Sequence, residues 1–157
     1  PSEEEKELSK NWAEVSVCPE WRGGYLTADG TKFAFYERPG LHGDAWFDKN
    51  KDYSADCQVV NLLHNLLIVD YGLGHTGSVH DSWAFQSMRT FKEHDTIFGD
   101  GKWLWADSAY PCETWTACPF KRPAGRDLTK DQKAYNYHVS KAYFISSWTL
   151  SMIIDKD

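Results

Sequence analysis

The sequence predicts a mixed α/β domain, and three features carry that expectation. Short runs of apolar, aromatic and β-branched residues recur at 25–28, 53–63, 65–71 and 102–106, with the length and composition of strands. Stretches with apolar residues at helical spacing lie before, between and after them. A chain of 157 residues with 41% hydrophobic and 15% aromatic content is large enough for one core and short for two.

In chain order, Ser2-Glu3-Glu4-Glu5 has the form of a capping box, with acids in the first turn where the helix dipole favours negative charge. Leu8, Trp12 and Val15 then share one face, and the helix should stop before Pro19. Gly23-Gly24 breaks the pattern. Residues 25–28 read as a strand reaching Asp29, and Gly30-Thr31 as a turn into a partner strand through Phe33 and Phe35, ended by Arg38-Pro39-Gly40. The expected product is a hairpin with Asp29 near its turn.

The segment 41–52, rich in Gly, Asp, Lys and Asn, reads as a solvated loop, and 53–63 and 65–71 as adjacent central strands, giving three antiparallel strands in sequence order. Gly72, Gly74 and Gly77 read as a flexible link. Ser78-Val79-His80-Asp81 opens a helix to about His94, with Trp83, Ala84, Met88 and Phe91 inward. A fourth strand, 102–106, delivers Asp107, and a Pro-containing connection follows over 111–123. The last helix starts near Thr129, with Ala134, Tyr135, His138 and Val139 inward.

Charge and cysteine usage limit the function classes. A net charge of -6 argues against a chain that draws its own affinity from phosphate neutralisation, so a nucleic-acid role needs a separate basic domain or partner. Cys18, Cys57, Cys112 and Cys118 form no Cys-x-x-Cys pair, which points to buried or incidental thiols in a reducing intracellular compartment. No secretory leader is visible. The apolar stretch 142–154 is interrupted by Ser146, Ser147, Thr149 and Ser151 and falls short of a membrane span.

The chemistry concentrates in two carboxylates. Two strands that each deliver an Asp place Asp29 and Asp107 side by side at one edge of a sheet, where a divalent cation would neutralise them. Asp-Gly is also among the commonest turn dipeptides, so Asp29 read alone serves equally as a turn residue.

Several pieces in order carry a family resemblance: Ala28-Asp29-Gly30-Thr31, Tyr53-Ser54-Ala55-Asp56-Cys57-Gln58-Val59-Val60, and Gly77-Ser78-Val79-His80-Asp81-Ser82. Ala106-Asp107-Ser108-Ala109-Tyr110-Pro111 with Cys118-Pro119-Phe120 follows, then Tyr135-Asn136-Tyr137-His138-Val139-Ser140. In these, from about Tyr25 to Lys141, the chain resembles the DDE superfamily endonuclease domain of PIF/Harbinger-type transposases.

The resemblance implies an RNase H-like fold, a nuclear location, and metal-dependent cleavage or strand transfer on DNA. In that chemistry three acids hold two Mg²⁺ or Mn²⁺ ions about 3.5–4 Å apart. Asp29 and Asp107 match the first two acids. His80 and Asp81 stand in the piece that supports the ligands. Lys121, Arg122 and Arg126, the one compact basic cluster, are the candidates for backbone contact, although a solvated loop explains them as well.

The third acid is where this chain departs from the family. A Glu expected about two turns past the Asn-Tyr-His-x-Ser motif falls at about Ser147, and the basic residues that precede it are missing as well. Asp155 lies eight residues further, roughly 12 Å along a helix at about 1.5 Å per residue. The expectation is an RNase H-like domain incomplete at its C-terminus, a truncated copy. It divides into a helical lead-in at 1–20, the DDE endonuclease-like domain at 21–141 and a divergent tail at 142–157 that either extends the last helix or packs loosely.

With two acids the site would bind metal weakly and cleave little. The competing reading is a noncatalytic remnant or domesticated interaction module that keeps the fold. A primary metal site at His75, His80 and Asp81 lacks a cysteine partner. A triad of Ser78, His80 and Asp81 lacks a nucleophile elbow, and the glycines at 72–77 lack the Lys of a phosphate loop.

Overall fold

The computed structural model describes residues 1–48, 51–76 and 81–154, without the side chains of Asp81 and 145–154. One mixed sheet organises them: β1 (Gly24–Ala34), β2 (Ser54–Leu62), β3 (Ile68–Thr76), β4 (Trp103–Trp105) and β5 (Thr116–Ala117), in the spatial order β3-β2-β1-β4-β5. β1, β2 and β3 pair antiparallel, as their order in the sequence predicts. β4 joins β1 in parallel on the other side and β5 continues in parallel from β4.

Strand alternation divides the core. Leu104 and Ala106 join Tyr25, Leu26, Val60, Leu62, Phe85, Met88, Phe98 and Trp115 in one cluster. Trp105 points the other way, into a cluster with Ala13, Leu63, Val139 and Ala142. The first layer is covered by α2 (Asp81–Gln86), α3 (Arg89–Lys92) and α4 (His94–Phe98), the second by α1 (Glu3–Ser16) and α5 (Lys130–Ile154).

The capping box of α1 is formed: Glu5 N donates to Ser2 Oγ at 3.2 Å, and Ser2 N to Glu5 Oε2 at 2.7 Å. Its inward side differs from expectation. Leu8 and Val15 are exposed, while Ser9 and Ala13 are fully buried and Trp12 packs partly. The Ser9 hydroxyl explains its position, since it donates to Tyr25 O at 2.6 Å and accepts from Leu63 N at 2.9 Å, joining α1 to β1 and to the residue that follows β2.

Several expected elements are redrawn. Gly30 makes no turn: β1 runs unbroken for 11 residues, and its ladder with β2 continues from Leu26↔Leu62 to Ala34↔Ser54. The chain then passes through a 3₁₀ turn at Gly43–Trp46 before returning as β2. Gly72 and Gly74 belong to β3 and not to a link, and a Cβ at Gly72 would lie 3.1 Å from Met88 Cγ, a close contact with that side chain. Gly77 lies outside the described residues.

The helix expected up to His94 is three short helices. Ser87 N and Met88 N donate to Ala84 O and Phe85 O, three residues back, which tightens and ends α2. Trp83 is exposed and Phe85 takes the buried place. β5, inside the Pro-containing connection, was not expected. In α5, Ala134 is exposed and Val139 and Ala142 are buried, and the helix continues without a break to Ile154, so the segment 142–154 extends the last helix. No described helix is long and apolar enough to cross a membrane.

Candidate functional site

The two aspartates sit at the point where β1 and β4 part. The parallel ladder pairs Leu26 with Leu104 and Thr27 with Trp105, and β4 ends there. Asp29 stands two residues past Thr27 and Asp107 two past Trp105, the last pair of that ladder. β1 itself goes on, with Asp29 opposite Val59 of β2. The expectation of a strand that stops at Asp29 is therefore corrected; the parallel ladder reaches Thr27 and Trp105, two residues before each aspartate. Both residues are partly exposed.

Alternation puts Asp29 on the same face of β1 as Thr27, the face that α5 covers. The sequence folds locally to hold this arrangement. Asp107 heads a turn: its Oδ1 accepts from Ala109 N, and its carbonyl from Tyr110 N at 3.3 Å. Tyr110 is buried beyond the turn and its hydroxyl donates to Gln58 Oε1 of β2, whose Nε2 donates to Asp56 Oδ2 at 3.0 Å. The Asp107 turn is thus anchored to the centre of the sheet.

α5 approaches from the side. Thr129 caps it reciprocally with Gln132, with Gln132 N donating to Thr129 Oγ1 at 3.2 Å and Thr129 N to Gln132 Oε1 at 3.0 Å. Asn136 fixes the helix to the preceding connection, accepting from Phe120 N at 2.8 Å and donating to Phe120 O at 2.9 Å. One turn past the buried Val139, Tyr143 reaches the site and its hydroxyl donates to Asp29 Oδ1. Position 147 follows Tyr143 by four residues and so lies on the same helix face.

Tyr143 was missed in the sequence. Helical spacing relates it to position 147, but its contact with Asp29 spans 114 residues and nothing local announces it.

Asp29 and Asp107 supply hard oxygen donors of the kind Mg²⁺ and Mn²⁺ prefer. Among the described residues, no group of three or more His, Cys, Asp or Glu side chains forms a metal site. The donor set therefore fits a two-metal centre only in part. Asp127 is engaged elsewhere, 2.6 Å from Lys133 Nζ, whose hydrogen bond and charge hold its carboxyl below the usual range.

The other candidate residues are placed as follows. His80 and Ser78 lie outside the described residues, and Asp81 opens α2 with its side chain undescribed. His75 Nε2 is 3.0 Å from Ser87 Oγ, with its ring edge-on to Trp83. Lys121, Arg122 and Arg126 are exposed on the connection between β5 and α5. There Arg122 Nε donates to Arg126 O at 3.4 Å and lies 3.6 Å from Asp127, so its charge is already partly matched.

A family model described as DDE superfamily endonuclease matches residues 28–154. The match includes both aspartates and extends past Lys141 through the described end of α5. No curated protein and no solved structure matches the chain.

Proposed function

This chain belongs to the DDE superfamily of endonucleases, which act on DNA and generally use divalent metals, and from that premise we propose a PIF/Harbinger-type, transposase-derived nuclease domain of RNase H-like fold with an incomplete metal centre. The observation that supports this reading is the parallel register of Thr27 with Trp105 on two interior strands, each two residues before one of the aspartates.

Bound divalent ions would activate the attacking water or 3′-hydroxyl and stabilise the leaving oxygen. Asp29 and Asp107 would hold them through carboxylate oxygens. The ladder with β2 fixes the backbone at Asp29, and the Tyr110–Gln58 bond anchors the turn that Asp107 heads. A serine at position 147 offers no third charge from α5, so the chain alone cleaves little or no DNA. This favours the noncatalytic reading for the isolated chain, with the fold retained.

The net charge of -6 leaves DNA affinity to a basic domain or partner protein, with Lys121, Arg122 and Arg126 as the local contacts. Such a protein would act in the nucleus. Mn²⁺ calorimetry on the wild-type chain and Asp107→Asn, with nicking of supercoiled DNA in the same buffer, tests the proposal. Weak binding that the substitution abolishes, without nicking, supports it. Tight binding of two ions with nicking would refute the incomplete site, and binding indifferent to Asp107→Asn would refute the pair.

A further inference from the structure

We infer that Tyr143 closes the metal site: its phenol occupies Asp29 and ties α5 to β1 where a cation would otherwise join them. The inference rests on the reading of Asp29 and Asp107 as the metal pair. Its ground is the bond from the Tyr143 hydroxyl to Asp29 Oδ1, made by a side chain one turn before position 147 on the same face of α5.

A helix carboxylate at position 147 would meet Asp29 only through an ion placed between them, because two like charges repel without it. A phenol spans the gap directly. It donates one proton to the carboxylate, carries no charge of its own, and needs no metal.

Packing holds it there. Ala142 beside it and Val139 one turn back are both fully buried against Trp105, Leu63 and Ala13, so α5 cannot lift from the sheet without opening that cluster. An ion that takes Asp29 Oδ1 must displace the Tyr143 hydroxyl, and that competition lowers its affinity. Tyr143 is thus a positioning residue for Asp29 that competes with an ion for its Oδ1.

The test uses the full chain and Mn²⁺ alone as the probe. Ser147→Glu supplies the helix carboxylate, and Tyr143→Phe is then added to it. The double variant should bind Mn²⁺ on the order of tenfold more tightly than Ser147→Glu by calorimetry, the value of one charge-assisted hydrogen bond.

In metal-free buffer, Tyr143→Phe alone should raise amide exchange along the second half of α5. Asp29→Ala, which removes the acceptor, should raise it there too, and the two should not add. Equal or weaker Mn²⁺ binding in the double variant would overturn the inference while leaving the metal pair intact, since Tyr143 would then be orienting Asp29 for the ion. No Mn²⁺ binding in either variant would overturn both readings.

Discussion

Asp107 follows Trp105 by the same two residues by which Asp29 follows Thr27, and Thr27 and Trp105 face each other in a parallel ladder. That relationship brings together the approaches to two positions 78 residues apart in a chain of 157, the pair proposed above as a metal site. It depends on β4 lying against β1, so whatever holds those strands together holds the site.

Gly24 is one such determinant. A Cβ at this position would fall 2.3 Å from Trp105 Nε1 and 2.5 Å from Trp103 Nε1, at the start of the β1–β4 ladder. Gly24→Ala should cost roughly 1–3 kcal/mol through overpacking. Urea unfolding measures it, and an unchanged midpoint would mean that the indoles move aside freely.

Ser9 is a second. Its buried hydroxyl serves Tyr25 O and Leu63 N together, and Ser9→Ala leaves both backbone groups without that partner. The expected loss is about 2–3 kcal/mol. Ser9→Thr, which keeps the hydroxyl, should lose less in the same unfolding experiment unless its extra methyl overpacks the contact.

The expected strands and helices were legible where the signal was local and repeated: the α1 capping box, the apolar run of β2, the Thr129 start of α5. Asp29-Gly30 misled because Asp-Gly favours turns locally, whereas a ladder from Leu26 to Ala34 against β2 outweighs one dipeptide's preference. Gly72 misled in the same way, since its missing side chain makes room for Met88 and does not loosen the chain. β5 has two residues, too few for any periodicity. Of the proposed site, the two aspartates stand in short motifs of the sequence, and Tyr143 does not announce its contact with Asp29, 114 residues away.

Thiol reactivity should report the same packing. Burial pushes the Cys118 thiol up to about 11, and burial also raises that of Cys57, while Cys112 is exposed. The thiolate of Cys118 is therefore scarce at pH 8 in the folded protein. Iodoacetamide labelling followed by mass spectrometry should modify Cys112 well before Cys118 and Cys57, with the difference vanishing in urea. Equal labelling in the folded state would contradict the packing of Cys118 beneath the Asp107 turn.

The central claim is that Asp29 and Asp107 form a metal site lacking the acid that α5 would contribute from position 147. Mn²⁺ calorimetry on Ser147→Glu beside the wild-type chain tests it most directly. Added ligand charge should tighten binding by about tenfold or more, and Asp107→Asn in the same background should abolish the gain. An affinity for Mn²⁺ that Ser147→Glu leaves unchanged would contradict the placement of the third ligand on α5.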